Sequence, residues 1–162
     1  MILITGAAGF IGINTIVELN NKGYNDLILV DHFNKKEKKE KLNLLKYEKA
    51  LSVDQCKNFL KNNNQKKEIK LVIHLGAITD TTCTNDDLLK ELNLDFSKLV
   101  WKYCTKNNIK LIYASSAATY GKGSDGFDDN EEKINKLKPL NKYGESKNNF
   151  DLWVINELNK PP

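Results

Sequence analysis

Short apolar runs recur along the chain, each followed by a stretch whose apolar positions return every three or four residues. Ile2-Leu3-Ile4-Thr5, "LILVD" from Leu27 to Asp31, "KLVIHLGA" from Lys70 to Ala77 and "IKLIYASS" from Ile109 to Ser116 read as buried strands. Ile13, Ile16, Val17 and Leu19 carry helical spacing up to Asn21, and Gly23 closes that helix. Leu88, Leu89, Leu92, Phe96, Leu99, Val100 and Tyr103 predict a long helix over Asp86 to Asn107, and Tyr143 to Leu158 predicts the last one. Lys35 to Lys49 is charged and has no clean strand pattern. Strands apolar throughout, alternating with amphipathic helices, imply an α/β architecture: a doubly wound parallel sheet covered on both faces.

The chain stops at "NELNKPP", directly after a helix and with no closing strand. A doubly wound dinucleotide fold has two halves. Residues 1–162 are therefore expected to form one NAD(P)-binding, Rossmann-like domain, incomplete at the carboxy terminus and truncated before a substrate domain.

Composition narrows the classes. With 162 residues, 40% hydrophobic and 28% charged, the chain suits one soluble domain with a sizeable core. No apolar stretch reaches membrane-spanning length and no basic leader precedes the first strand, so no membrane partner and a cytoplasmic location are expected. Cys56, Cys83 and Cys104 have neither CxxC spacing nor a disulfide framework and read as reduced thiols, Cys104 as a small core hydrophobe. The net charge is only +4, and all 25 basic residues are lysine. Sequence readout and bidentate phosphate clamps favour arginine, so no nucleic-acid partner is expected. His74 lies inside a strand and reads as a packed core histidine; with His32 as its sole companion, no metal site is expected.

Chemistry enters with "ITGAAGFIG". Gly6, Gly9 and Gly12 lie between a strand and a helix, where a tight turn, an unobstructed backbone and a helix amino terminus suit a pyrophosphate. Asp31 ends the next strand and is placed to accept a hydrogen bond from an adenosine ribose 2′-OH, which favours NAD. Lys35, Lys36 and Lys38 follow it; they suit either a 2′-phosphate, as in NADP, or a solvated helix face.

"NKYGESK" sets Tyr143 and Lys147 four residues apart, on one helical face. An ammonium beside a phenol stabilises the phenolate, which makes a base of a group otherwise titrating near 10, and the same ammonium can hold a ribose hydroxyl. Ser116 ends a strand 27 residues upstream, where its hydroxyl can share a substrate oxygen with Tyr143. Ser115 is expected to be a backbone-bonding turn residue, and Tyr120 to serve either the pocket or the core.

The G-x-x-G-x-x-G loop and the Ser, Tyr and Lys group resemble the extended short-chain dehydrogenase/reductases, the NAD-dependent epimerase/dehydratase family. Sugar-nucleotide dehydratases of that branch carry an acidic pair where this chain has Ala117 and Ala118, so water elimination lacks its acid and base. "MILITGAAGFIG", "HLGAITDTT", "YASSAATYG" and "KPLNKYGESKNNFDLWV" together resemble the ADP-L-glycero-D-manno-heptose 6-epimerases, which serve lipopolysaccharide inner-core synthesis. The likeness covers essentially the whole chain and is weakest from Phe33 to Lys67. It implies a bound NADP that oxidises a nucleotide-sugar substrate at C6 and returns the hydride to the other face.

By that resemblance Phe10 and Ile11 meet the pyrophosphate, and Asp31, His32 and Lys38 the adenosine end. Leu75, Gly76, Ala77, Ile78, Thr79 and Asn93 follow the cofactor, while Ser116, Tyr143 and Lys147 take the catalytic positions. Cys83 stands where the family has glutamate, and the family's second catalytic lysine and sugar-binding region would follow Pro162. Residues 1–162 alone are thus expected to be inactive, and the full-length protein to be a homo-oligomer. Two other readings remain open: a nucleotide-sugar 4-epimerase or reductase on the same scaffold, and a non-catalytic dinucleotide sensor.

Overall fold

Leu3, Ile4, Leu27 to Val30 and Val72 have no exposed surface, as central strands covered on both faces require. The computed structural model describes residues 1–34, 36–62, 69–124 and 126–162. They form two compact units, one of residues 1–76, 99–113 and 161–162 and the other of residues 77–98 and 114–160.

The first unit contains the sheet. Strands β1 (Ile2–Thr5), β2 (Leu27–Val30), β3 (Lys49–Leu51), β4 (Leu71–His74) and β5 (Lys110–Tyr113) are all parallel, in the order β3-β2-β1-β4-β5. Thr5 at the end of β1 pairs with Val30 on one side and His74 on the other. Strand order reverses between β1 and β4, the position at which doubly wound folds bind ligands.

Alternate strand residues Ile4, Leu27, Leu29 and Ile73 join Ala7, Ile16 and Leu42 in one cluster. Helix α1 (Phe10–Asn21) supplies Ile16, and each such aliphatic side chain contributes about 1.5–3 kcal/mol by burial. Gly23 N–H bonds Asn20 O and Tyr24 N–H bonds Leu19 O, which closes α1 where the sequence places its end.

Two elements lie where the charged stretch shows no strand pattern. Helix α2 (Lys36–Glu40) is one turn, and β3 is a three-residue edge strand with Ala50 exposed. Helix α3 (Val53–Asn62) starts at a capping box: Gln55 N–H donates to Ser52 Oγ and Ser52 N–H to Gln55 Oε1. Cys56 on α3 and Cys104 are completely buried, and burial pushes each thiol up to about 12. The strands are shorter than their apolar runs. Past His74 the ladder gives way to Thr5, whose carbonyl accepts from Leu75 N–H at 3.3 Å and whose Oγ1 accepts from Gly76 N–H at 2.9 Å.

In the second unit, helix α4 (Asp86–Leu89) runs through a π-helical turn at Lys90–Asp95 into α5 (Phe96–Lys106), whose residues from Leu99 onward belong to the first unit. One long helix was expected there, and the wide turn is the difference. It carries Asn93, completely buried. Two 3-10 turns, Ala117–Tyr120 and Glu131–Lys136, precede helix α6 (Lys142–Asn156), and Asn141 Oδ1 caps α6 by accepting from Gly144 N–H at 2.8 Å. No helix among the described residues is long and apolar enough to cross a membrane.

Candidate cofactor cradle and catalytic group

In the first unit the glycine loop closes on the end of β4. Gly6 has φ +66°, and a Cβ there would lie 2.8 Å from Gly76 N and 2.9 Å from Gly76 Cα. A Cβ on Gly12 would lie 2.2 Å from Gly6 O, so α1 begins directly on the turn. Gly9 caps α1 without a side chain, and no acid occupies its first turn. The first amide N–H groups of a twelve-residue helix therefore remain available to an anion. Phe10 is 87% exposed and Ile11 61% exposed at this helix end.

Asp31 is buried and ties the loop to β2. Its Oδ2 accepts from Ala8 N–H at 2.9 Å, and its Oδ1 accepts from His32 N–H at 2.7 Å and Lys38 Nζ at 2.6 Å. Three of about four acceptor positions on a carboxylate are used, which leaves one for a ligand hydroxyl. Of the three lysines after it, Lys38 reaches Asp31, Lys36 pairs with Glu40 at the surface, and Lys35 lies outside the described residues.

Beside Asp31 opens a cavity of about 590 Å3, lined by His32, Phe33, Leu42, Tyr47, Ser52 and Gln55 among others. Its size and mixed apolar and polar lining suit a purine nucleoside. Of these residues only His32 is anticipated from the sequence. The others come from the charged stretch and from α3, and the Ser52–Gln55 capping box is the signal that marks that helix start. Leu75 and Gly76 close the loop at β4, and His74 is a core residue as expected, its Nδ1 2.7 Å from Thr5 Oγ1.

The second unit contains Ser116, Tyr143 and Lys147 together with Ala77, Ile78, Thr79 and Asn93. Asn93 makes three hydrogen bonds: its Oδ1 accepts from Ile78 N–H at 2.7 Å, and its Nδ2 donates to Ile78 O at 3.0 Å and to Ser146 Oγ at 2.9 Å. It shapes the Ala77–Thr79 segment by holding its backbone. The first turn of α6 packs on the 3-10 turn, since a Cβ on Gly144 would lie 2.8 Å from Ala118 O.

The backbone-bonding turn role expected of Ser115 falls to its neighbour Ser116. Ser115 donates its hydroxyl to Asp151 Oδ2 on α6 at 2.5 Å, whereas Ser116 caps the 3-10 turn by accepting from Ala118 N–H at 3.2 Å. Extended backbone at Ser116 (φ −151°) sends successive side chains opposite ways, so only one of the pair meets the turn. The Ser116 hydroxyl proton engages no hydrogen bond among the described residues. Neither does the phenol of Tyr143, which is half-buried. Lys147 is 3% exposed, and desolvation holds its ammonium below the usual lysine range against the opposing pull of Asp151. Tyr120 turns to the acidic loop, donating to Asp129 with its ring edge-on to Phe127.

Residues 2–159 match the model of the NAD dependent epimerase/dehydratase family. The chain belongs to that family. Within it, an ADP-L-glycero-D-manno-heptose-6-epimerase of Fusobacterium nucleatum is 41% identical over 163 residues, 99% of this chain and 49% of that protein. The chain thus spans about half the length of the curated relatives it matches. Among solved structures, the Helicobacter pylori ADP-L-glycero-D-manno-heptose-6-epimerase superposes with a TM-score of 0.74 at 23% identity, over 95% of this chain and 50% of that one. A UDP-glucose 4-epimerase of Thermotoga maritima, solved with UDP-glucose, gives 0.74 at 25% identity over the same shares. The epimerase family therefore has this doubly wound fold, and the curated relatives matched at 38–41% identity are ADP-L-glycero-D-manno-heptose-6-epimerases.

Proposed function

We propose that the protein to which this chain belongs inverts C6 of an ADP-activated heptose, converting the D-glycero-D-manno into the L-glycero-D-manno form with a bound NADP. The observation that carries this is the 41% identity to the Fusobacterium epimerase across 99% of the chain. The nucleotide half of the cofactor fits the glycine loop, where a Cβ would strike backbone, and the cavity beside Asp31. Lys38 supports NADP over NAD, because its ammonium offsets the Asp31 charge and can meet a 2′-phosphate.

Tyr143 takes the proton of the substrate hydroxyl while the hydrogen on the same carbon leaves as hydride. Lys147 stabilises the phenolate that this requires, and Ser116 donates its hydroxyl to the reacting oxygen. A bound nicotinamide would supply the acceptor and donor for that hydride, so that the carbon could be re-reduced with inverted configuration. Tyr143 then gives its proton back, so no net oxidation occurs. Ala117 and Ala118 offer neither acid nor base for competing loss of water.

The test is to incubate the full-length protein with ADP-D-glycero-D-manno-heptose and follow C6 configuration by NMR. Inversion is expected, and Tyr143→Phe should slow it by about a hundredfold or more while NADP still binds. Turnover of a UDP-sugar with none of the ADP-heptose would assign the site to another epimerase of the family. Cofactor binding without any turnover would make it a sensor. Residues 1–162 alone, half the length of the relatives, are expected to invert nothing.

A further inference from the structure

Helix α6 places Tyr143, Lys147 and Asp151 at successive four-residue steps, one above another on a single face. The last two are buried, at 3% and 7% exposure. A buried ammonium without a partner is expensive, and so is a buried carboxylate. The carboxylate also has a partner outside its own helix, because Ser115 Oγ donates to Asp151 Oδ2 at 2.5 Å. Ser115 adjoins Ser116, so one dipeptide serves both the reacting oxygen and the acid below the lysine.

We propose that Asp151, fixed by Ser115, is a positioning residue that keeps Lys147 charged and aimed at Tyr143. This deepens the proposed reaction and rests on Tyr143 being its base. Of the charges on the elements packed against α6, Asp86 of α4 pairs with Lys142 at the start of α6, and Asp87 of α4 and Lys90, Glu91 and Asp95 of the π turn are exposed. On the Glu131–Lys136 turn, Glu131, Glu132 and Lys136 are exposed and Lys133 is half-buried. Asp151 is the charge that acts on Lys147, raising its proton affinity against desolvation.

The direction of the effect follows. Without the carboxylate, Lys147 loses its proton more readily, and a neutral lysine no longer favours the phenolate. A pH profile of turnover must therefore move when the carboxylate is removed. In the full-length enzyme Asp151→Asn is expected to shift the profile of turnover to lower pH by about one unit, because loss of a negative charge lowers the proton affinity of the groups around it. Turnover at pH 7 should fall about tenfold. Asp151→Glu retains the charge and should retain the profile, and Ser115→Ala should shift it in the same direction by less.

A profile unmoved in Asp151→Asn and Ser115→Ala, whatever the loss of thermal stability, would overturn the proposal and make Asp151 a packing residue. If Asp151→Asn does not fold, Ser115→Ala decides by the same criterion. Wild-type turnover in Tyr143→Phe would instead refute the underlying assignment of the base, so the two failures are told apart.

Discussion

Lys38 is the residue that tests the proposed choice of NADP. Its ammonium lies 2.6 Å from Asp31, so the pair presents little net charge to a phosphate. An unpartnered Asp31 would repel a 2′-phosphate and welcome a 2′-hydroxyl. Lys38→Ala is therefore expected to weaken NADP binding about tenfold and NAD binding far less, as measured by calorimetric titration of the full-length protein. Equal losses for both cofactors would remove Lys38 from the phosphate site. The residue types of this site were legible in the sequence, because glycine, aspartate, serine, tyrosine and lysine each bring a distinctive chemistry at a distinctive spacing. The partners of Ser115 and Ser116 were not. Adjacent serines look alike until the backbone points one of them at a carboxylate 36 residues away.

The π-helical turn at Lys90–Asp95 is the element-scale feature with the most consequence. A wide turn inside a helix requires stabilisation from outside, and Asn93 provides it through its bonds to Ile78 and Ser146. Asn93→Leu should cost about 1–3 kcal/mol, since it leaves the half-buried Ile78 amide and carbonyl without their partner. Amide hydrogen exchange at Ile78 should accelerate in that variant, and unchanged protection there would show that another group holds the segment. The long helix around Asn93 was evident from periodicity, but the π turn was not. A single extra residue per turn barely disturbs the spacing of Leu88, Leu92, Phe96 and Val100. The strand β3 and helix α3 were missed for a different reason. An edge strand of three residues with an exposed centre has no apolar run to display.

At the scale of the whole molecule, the two buried thiols link stability to pH. Cys56 and Cys104 titrate near 12 when folded, against 9.0 ordinarily. Between those values the unfolded chain releases protons that the folded chain keeps, so the folded state loses ground as pH rises. Each thiol should remove about 1.4 kcal/mol per pH unit above 9.0, with its contribution fully present below that pH. Melting temperatures from pH 8 to 11 should therefore fall, and fall less steeply in Cys56→Ala and Cys104→Ala. Parallel slopes in wild type and variants would mean that other groups set the alkaline limit.

The sequence by itself determined the fold class, the glycine loop and the helix bearing Tyr143 and Lys147. All three follow from local rules: period, turn chemistry and the four-residue step of a helix. Only the tertiary structure decided which atoms meet. Gly6 comes to rest on Gly76 because β1 and β4 are neighbours in the sheet, 70 residues apart in the chain. Lys38 reaches Asp31, the cavity beside them gathers residues from three segments, and Ser115 finds Asp151. Burial then sets the proton affinity of Lys147, and burial belongs to the packed molecule, not to any stretch of sequence.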